Sequence, residues 1–190
     1  MNTIITTLTT EAIFSEDGQK RYLLRKTWDA EKRKLAIIML APSKASGIVL
    51  DNSTLLVLNN ASHLDFGRVD ILNLSAVLDD FTLKSAEFDD SENIETIIKS
   101  VEDADVIVYA AGVGKSKSKR FQELQKNILE NLLPYEANLH CLCNANGNAR
   151  FQHPLSPAVK IWNLSPMKVS ELVDVTPKDD PKQKKKPKGI

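Results

Sequence analysis

The sequence predicts a three-layer α/β/α fold with a mainly parallel central sheet of about four strands and an added N-terminal β-hairpin. Two observations carry this reading. The largely apolar runs Lys34–Leu40, Arg68–Val77, Asp105–Ala111 and Leu139–Cys143 show little polar alternation, as strands covered on both faces should. Helical apolar spacing fills the intervals between them, and strand–helix alternation of this kind builds a parallel sheet through right-handed crossovers. The 190 residues are 42% hydrophobic, enough for one ordinary core. The expected organisation is one α/β domain over 1–175, with the hairpin at 11–28, the core at 34–164 and a disordered Lys-rich tail at 176–190.

Met1–Thr10, rich in Thr and Ile, suits a β segment or an ordered arm. Ala12–Phe14 and Arg21–Trp28 form the hairpin, because Asp17-Gly18 supplies the positive-φ residues that a tight turn needs. After the first buried strand, Leu55, Leu56, Leu58 and Leu64 are spaced for a helix over 51–64, which Asp51 or Ser53 caps. Ser91-Glu92 opens a second helix, with Ile94, Ile97, Ile98 and Val101 on one face. The longest helix runs from Lys117 to Leu133, with Phe121, Leu124, Ile128 and Leu132 inward, and Pro134 ends it. Val159–Leu164 is a candidate short fifth strand.

Lys and Arg number 25, as do Asp and Glu, so no global field marks the chain for nucleic acid or a membrane. The charge is uneven, because 177–190 carries six Lys against two Asp. That tail reads as a solvated extension, with weak nucleic-acid attraction as the sharper alternative. Cys141 and Cys143, two apart in a strand, are poor disulfide partners and cannot alone complete a four-ligand metal site. No metal or cofactor is expected. A reduced, cytoplasmic setting is expected from the cysteine usage, with no signal pattern at the start and no apolar run of the roughly 18 residues that a spanning helix needs.

In parallel sheets, ligands sit beyond the carboxyl ends of the strands. Here those ends read Ala41-Pro42-Ser43-Lys44, Asn73-Leu74-Ser75, Gly112-Val113-Gly114-Lys115-Ser116 and Asn144 through His153, all small or polar. Gly114-Lys115-Ser116 has the closing letters of a phosphate-binding loop, but Tyr109 stands where the first glycine belongs. A glycine-rich turn with solvated Lys115, Lys117, Lys119 and Arg120 is the stronger reading. The alternative is a phosphate held by backbone amides at the helix start. His153 lies in a Pro-restricted loop and is the histidine chosen to donate to an oxyanion, a carbonyl or a phosphate. Ser43 and Lys44 make a conceivable nucleophile pair, set against a plain turn. Asp51 is the nearest carboxylate to that turn, set against a helix cap. Asn73 ends a buried strand with an amide suited to a base or sugar, set against a tie between loops.

The ordered series Ala12-Ile13-Phe14-Ser15, Arg21-Tyr22-Leu23-Leu24, MLAPSKAS, Asp51-Asn52-Ser53-Thr54, VDILNLSA, the Gly112/Gly114 loop and Gly147 to His153-Pro154-Leu155 resembles the bacterial and phage domain-of-unknown-function family numbered 1643. The resemblance covers roughly Glu11 to Pro157 and brings no known activity. The family's loop usually reads Asn-Pro-Ser-Thr, whereas this chain has Ala41 and Lys44 at its ends. Its last motif is also tighter than here, where Phe151 and Gln152 separate Arg150 from His153. A weaker resemblance is to the uracil-DNA glycosylase superfamily, through Ala41-Pro42, Asn73, Gly112 and His153-Pro154 in order. It implies that Asn73 reads a base and that His153 steadies the departing base, while Ala41 offers no water-activating group.

The expected function is binding of a nucleobase, nucleotide or nucleic acid at the strand ends by Pro42, Ser43, Lys44, Asp51, Asn73, Gly112, Lys115 and His153. His153 and Ser43 are the candidates for cleaving an N-glycosidic bond. The alternative is a non-catalytic interaction module that keeps the fold. A third reading, nucleotide hydrolysis at the glycine loop, requires phosphate and Mg²⁺ there.

Overall fold

The computed structural model of the protein describes residues 1–43, 47–112 and 118–173. Its strands are β1 (Thr9–Phe14), β2 (Arg21–Thr27), β3 (Arg33–Met39), β4 (Phe66–Asn73), β5 (Val106–Tyr109), β6 (Leu139–Cys143) and β7 (Asn163–Pro166). Its α-helices are α1 (Asn52–His63), α2 (Ser91–Glu102) and α3 (Lys119–Asn131). The expected Lys-rich tail lies outside the described residues, as do Lys44, Lys115 and Lys117.

The strands form one mixed sheet in the order β1-β2-β4-β3-β5-β6-β7. β4, β3, β5 and β6 run parallel to one another, while the pairs β1–β2, β2–β4 and β6–β7 are antiparallel. This corrects the expectation of a mainly parallel sheet of about four strands: there are seven, and half of the pairings are antiparallel. Two of the added strands are the expected N-terminal hairpin, β1 and β2, which joins the sheet at β4; β7 returns antiparallel on β6, a pairing that needs no helical crossover. The fifth strand expected at Val159–Leu164 is also displaced. Pro157–Val159 forms a 3₁₀ turn instead, since Pro157 has no N–H for a ladder, and pairing with β6 begins only at Asn163.

Each helix starts at a side-chain oxygen. The Asp51 carboxylate accepts from the Thr54 amide at 2.6 Å, Asp90 from Asn93 at 3.1 Å and Ser118 from Phe121 at 3.2 Å, satisfying amides that no helical carbonyl reaches. Strand alternation then builds two cores. Ala36, Ile38, Leu72 and Tyr109 pack with Ile97 and Val101 of α2 and Phe121, Leu124 and Ile128 of α3. On the other face, Leu35, Ile37, Val69 and Val108 pack with Val57 and Ala61 of α1. Helices therefore cover both faces of the parallel strands.

Two local features aim side chains. Pairing of β1 with β2 joins Ile13 to Leu23 and Phe14 to Arg21, passing over Tyr22. Such a bulge reverses the alternation beyond it. The Tyr22 hydroxyl accordingly reaches Glu92 of α2, while Arg21 turns to the start of α1. At the opposite end of β4, Gly67 is required by space, because a Cβ there would stand 1.9 Å from the Asp29 carbonyl oxygen.

Candidate active site at the strand ends

β3 leads through α1 on one face, whereas β5 leads through α3 on the other. Neighbouring strands whose connections part in this way leave a crevice between their carboxyl ends. A cleft of about 680 Å³ opens there, within the size range of small-molecule sites. The chain after β3 supplies its Leu40–Ala41 wall together with Ser43, the start of α1 supplies Asp51, the chain after β5 supplies Gly112, and the loop after β6 supplies His153.

The floor is a polar chain. Ser43 donates its hydroxyl hydrogen to one Asp51 oxygen, and the other Asp51 oxygen holds the Thr54 amide. Arg21 is 2% exposed and places Nη1 3.3 Å from the Ser43 carbonyl. Burial pulls its guanidinium down to about 10, with the Asp51 charge opposing, so it remains cationic at neutral pH. For Asp51, burial pushes the carboxyl up, but the hydrogen bonds from Ser43 and Thr54 and the Arg21 charge outweigh it and hold the group below its ordinary range. The floor is thus an ionised carboxylate beside a buried cation.

His153 is held from two sides. Its Nδ1 accepts the Leu155 amide at 3.2 Å, which places the ring hydrogen of the neutral form on Nε2. Burial lowers its pKa, with Asp51 opposing, so the ring is neutral at pH 7 and Nε2–H is a donor for the cleft. The loop that delivers it folds back on β6 through Gln152 N–H to the Leu142 carbonyl at 3.1 Å. Phe151, just before, has φ 57°, a left-handed conformation that bulky residues adopt only when their surroundings impose it. Gly112, with φ 81°, lies against His153, where a Cβ would stand 3.5 Å from the His153 Cβ, an ordinary contact.

The walls and mouth are apolar. Met39, Leu40, Ala41 and Ala111 line the interior, and Phe81, 56% exposed, stands at the edge. Phe81 is carried by a stiff loop: the Asp79 amide donates to the Pro42 carbonyl at 2.8 Å, and Asp80 accepts from the Lys84 and Ser85 amides.

Of the residues singled out in the sequence, Ser43, Asp51, Gly112 and His153 come together in this cleft. Pro42 is buried and acts through its carbonyl on the Phe81 loop. Asn73 does not line the cleft. It is 1% exposed, and neither atom of its side-chain amide has a hydrogen-bond partner among the described residues; it sits one strand from Met39, its register partner. Lys44 and Lys115 lie outside the described residues. Arg21, Phe81 and Gln152 were missed. The bulge hides Arg21 from a period-two reading, and the positive φ of Asp79 and Leu83 shapes the Phe81 loop without glycine to announce it. Among the described residues, no group of three or more His, Cys, Asp or Glu is placed to hold a metal ion, and no helix is long and apolar enough to cross a membrane.

No curated protein and no solved structure matches the chain, so the resemblance to uracil-DNA glycosylases gains no support there and rests on short motifs alone. Residues 21–155 match a family described as "protein of unknown function (DUF1643)". This stretch takes in both Arg21, beside the bulge, and the His153 loop, and therefore every group that forms the cleft floor. With well over half of its length inside that match, the chain belongs to the DUF1643 family of proteins of unknown function.

Proposed function

We propose that the cleft binds the base of a nucleobase-bearing ligand, with His153 as hydrogen-bond donor and Asp51 as the fixed negative charge. The observation that carries this reading is the pairing of a neutral Nε2–H donor with an ionised carboxylate in one slot that also has apolar walls. Heterocyclic bases present flat apolar faces and polar edges, so aliphatic walls, one exposed aromatic and a few oriented polar groups match them. Phe81 at the mouth is the stacking surface.

The same groups suit cleavage of an N-glycosidic bond. His153 Nε2–H steadies negative charge on a departing base, and the Asp51 carboxylate steadies positive charge on the sugar and holds a water. Ser43 directs its hydrogen to Asp51 and so positions that carboxylate; as a nucleophile it would have this weakly basic carboxylate to take its proton. Non-catalytic binding is the second reading. It is favoured by the depressed pKa of Asp51, whose oxygens are both hydrogen-bonded, because a stabilised carboxylate is a weak general base.

Thermal unfolding of wild type and His153→Ala, with nucleobases, nucleotides and single- and double-stranded oligonucleotides, tests the proposal. Ligand at about ten times its Kd should raise the Tm by roughly 3–6 °C. The rise should appear with one ligand class and vanish in His153→Ala. Release of free base by wild type, followed by chromatography, separates hydrolysis from binding alone. A screen in which no ligand stabilises the wild type overturns the proposal.

A further inference from the structure

A second cleft, of about 530 Å³, lies between β1 and the chain that enters α1. Its buried polar group is Lys26 of β2, 1% exposed. Lys26 Nζ donates to the Thr10 hydroxyl at 2.8 Å and to the Gly47 carbonyl. Both acceptors are neutral, and no carboxylate is paired with this amine among the described residues. Every other cation on β2 has a carboxylate facing it: Asp51 faces Arg21, and Asp70 and Glu11 bind Arg25.

An ammonium taken out of water without a counter-ion is costly. The cost falls if an anion enters from the open side. An ammonium has three N–H donors, and the two hydrogen bonds above leave one for such a ligand. The rest of the cleft is aliphatic, formed by Leu8, Ala12, Ile48 and Leu50, and Ile48 is 92% exposed. A fixed cation at the base of greasy, solvent-facing walls is complementary to a molecule with a negative head and an aliphatic chain.

We propose that Lys26 and these walls form a binding site for the carboxylate of a small aliphatic acid, separate from the strand-end cleft. The carboxylate pairs with Lys26 Nζ, and the chain lies against Leu8, Ile48 and Leu50. Burial alone lowers the amine's pKa in the free protein, as expected of a cation that lacks its partner.

The test is thermal unfolding of the full chain with octanoate, against acetate for the head alone and octan-1-ol for the chain alone. Octanoate at about ten times its Kd should raise the Tm by roughly 3–6 °C, with acetate and octan-1-ol each well below that. The rise should disappear in Lys26→Met and in Ile48→Asp, and it should persist in His153→Ala. Ile48 is so exposed that its substitution leaves folding intact, so the test stands even if Lys26→Met folds poorly. Equal stabilisation by octan-1-ol, a rise that survives in Ile48→Asp, loss of the rise in His153→Ala, or no rise with octanoate would each overturn the proposal.

Discussion

Asp70, buried, and Asp51, half-buried, are both carboxylates that serve arginines of β2, yet they sit in opposite kinds of surroundings. Asp70 is gripped by two guanidinium forks: Arg25 reaches its oxygens at 2.8 and 2.7 Å, and Arg68 at 2.9 and 2.7 Å. Arg68 continues to Asp103 and Arg25 to Glu11. That network is closed, because bidentate forks saturate both oxygens. Asp51 shares its oxygens with a hydroxyl and a backbone amide beside an open cleft, and another polar group of the cleft, His153 Nε2–H, has no hydrogen-bond partner among the described residues. Charge that is fully matched holds strands together, whereas charge matched only in part leaves something for a ligand to complete.

The largest expected effect breaks the closed side. Asp70→Asn leaves two guanidinium groups facing a neutral amide, and removal of one member of a buried ion network costs about 3–5 kcal/mol. Because Arg25 and Arg68 keep other partners, the lower end of that range is expected in urea or guanidinium unfolding. The pH profile carries the same signature. Burial pushes the Asp70 carboxyl up, but the two arginines overrule it and hold the folded-state pKa below the ordinary value of 3.8. Its contribution is therefore complete above that ordinary value and is lost as pH falls through the depressed one. Wild type should lose stability steeply on acidification below about pH 4, and Asp70→Asn should lose less. Parallel acid profiles in the two proteins would show that Asp70 is not the group responsible.

The next effect sharpens the open side. Gly112→Ala places a side chain at φ 81°, and the added Cβ would meet His153 at an ordinary contact distance of 3.5 Å. Backbone conformation, not crowding, then sets the cost, about 1–2 kcal/mol for a residue with a Cβ in the left-handed region. Denaturant midpoints measure that loss. Relief of the strain by backbone rotation would also shift the His153 ring, so ligand stabilisation should fall by more than the loss of fold stability accounts for. A variant that loses stability but keeps full ligand response would separate Gly112 from the site.

This contrast also explains what was legible in the sequence. The helices and the parallel strands depend on local apolar period and on caps such as Asp51, so α2 and β6 stand within a residue of where 91–101 and 139–143 suggested. Ser43, Gly112 and His153 were visible because small or polar residues at strand ends have few structural reasons to be there. Arg21 was not visible, since its direction depends on a pairing irregularity at Tyr22 that arises between strands. The antiparallel hairpin of β1 and β2 was legible from Asp17-Gly18 and the runs that flank it, but the pairing of β7 was hidden, because nothing local in Asn163–Pro166 states which neighbour it joins. Asn73 shows the converse limit, because the sequence placed it at a strand end but could not say that it stays buried and outside the cleft lining.

Lys26 tests the smallest and most discriminating difference. If uncompensated charge marks a ligand position, its removal should cost the fold little, unlike removal of Asp70. Lys26→Met keeps the length and apolar stem while deleting an ammonium that has no counter-ion among the described residues. The two acceptors left behind are not orphaned, because the Thr10 hydroxyl already donates to the Gly47 carbonyl at 3.1 Å. Replacement of buried charge by a hydrophobe of similar shape is commonly neutral or stabilising by about 1–4 kcal/mol. Unfolding of Lys26→Met should therefore show a midpoint equal to or above that of wild type. A loss as large as that of Asp70→Asn would mean that Lys26 is a structural tie between β1 and the chain at Gly47, and the distinction between closed and open charge would then fail at this position.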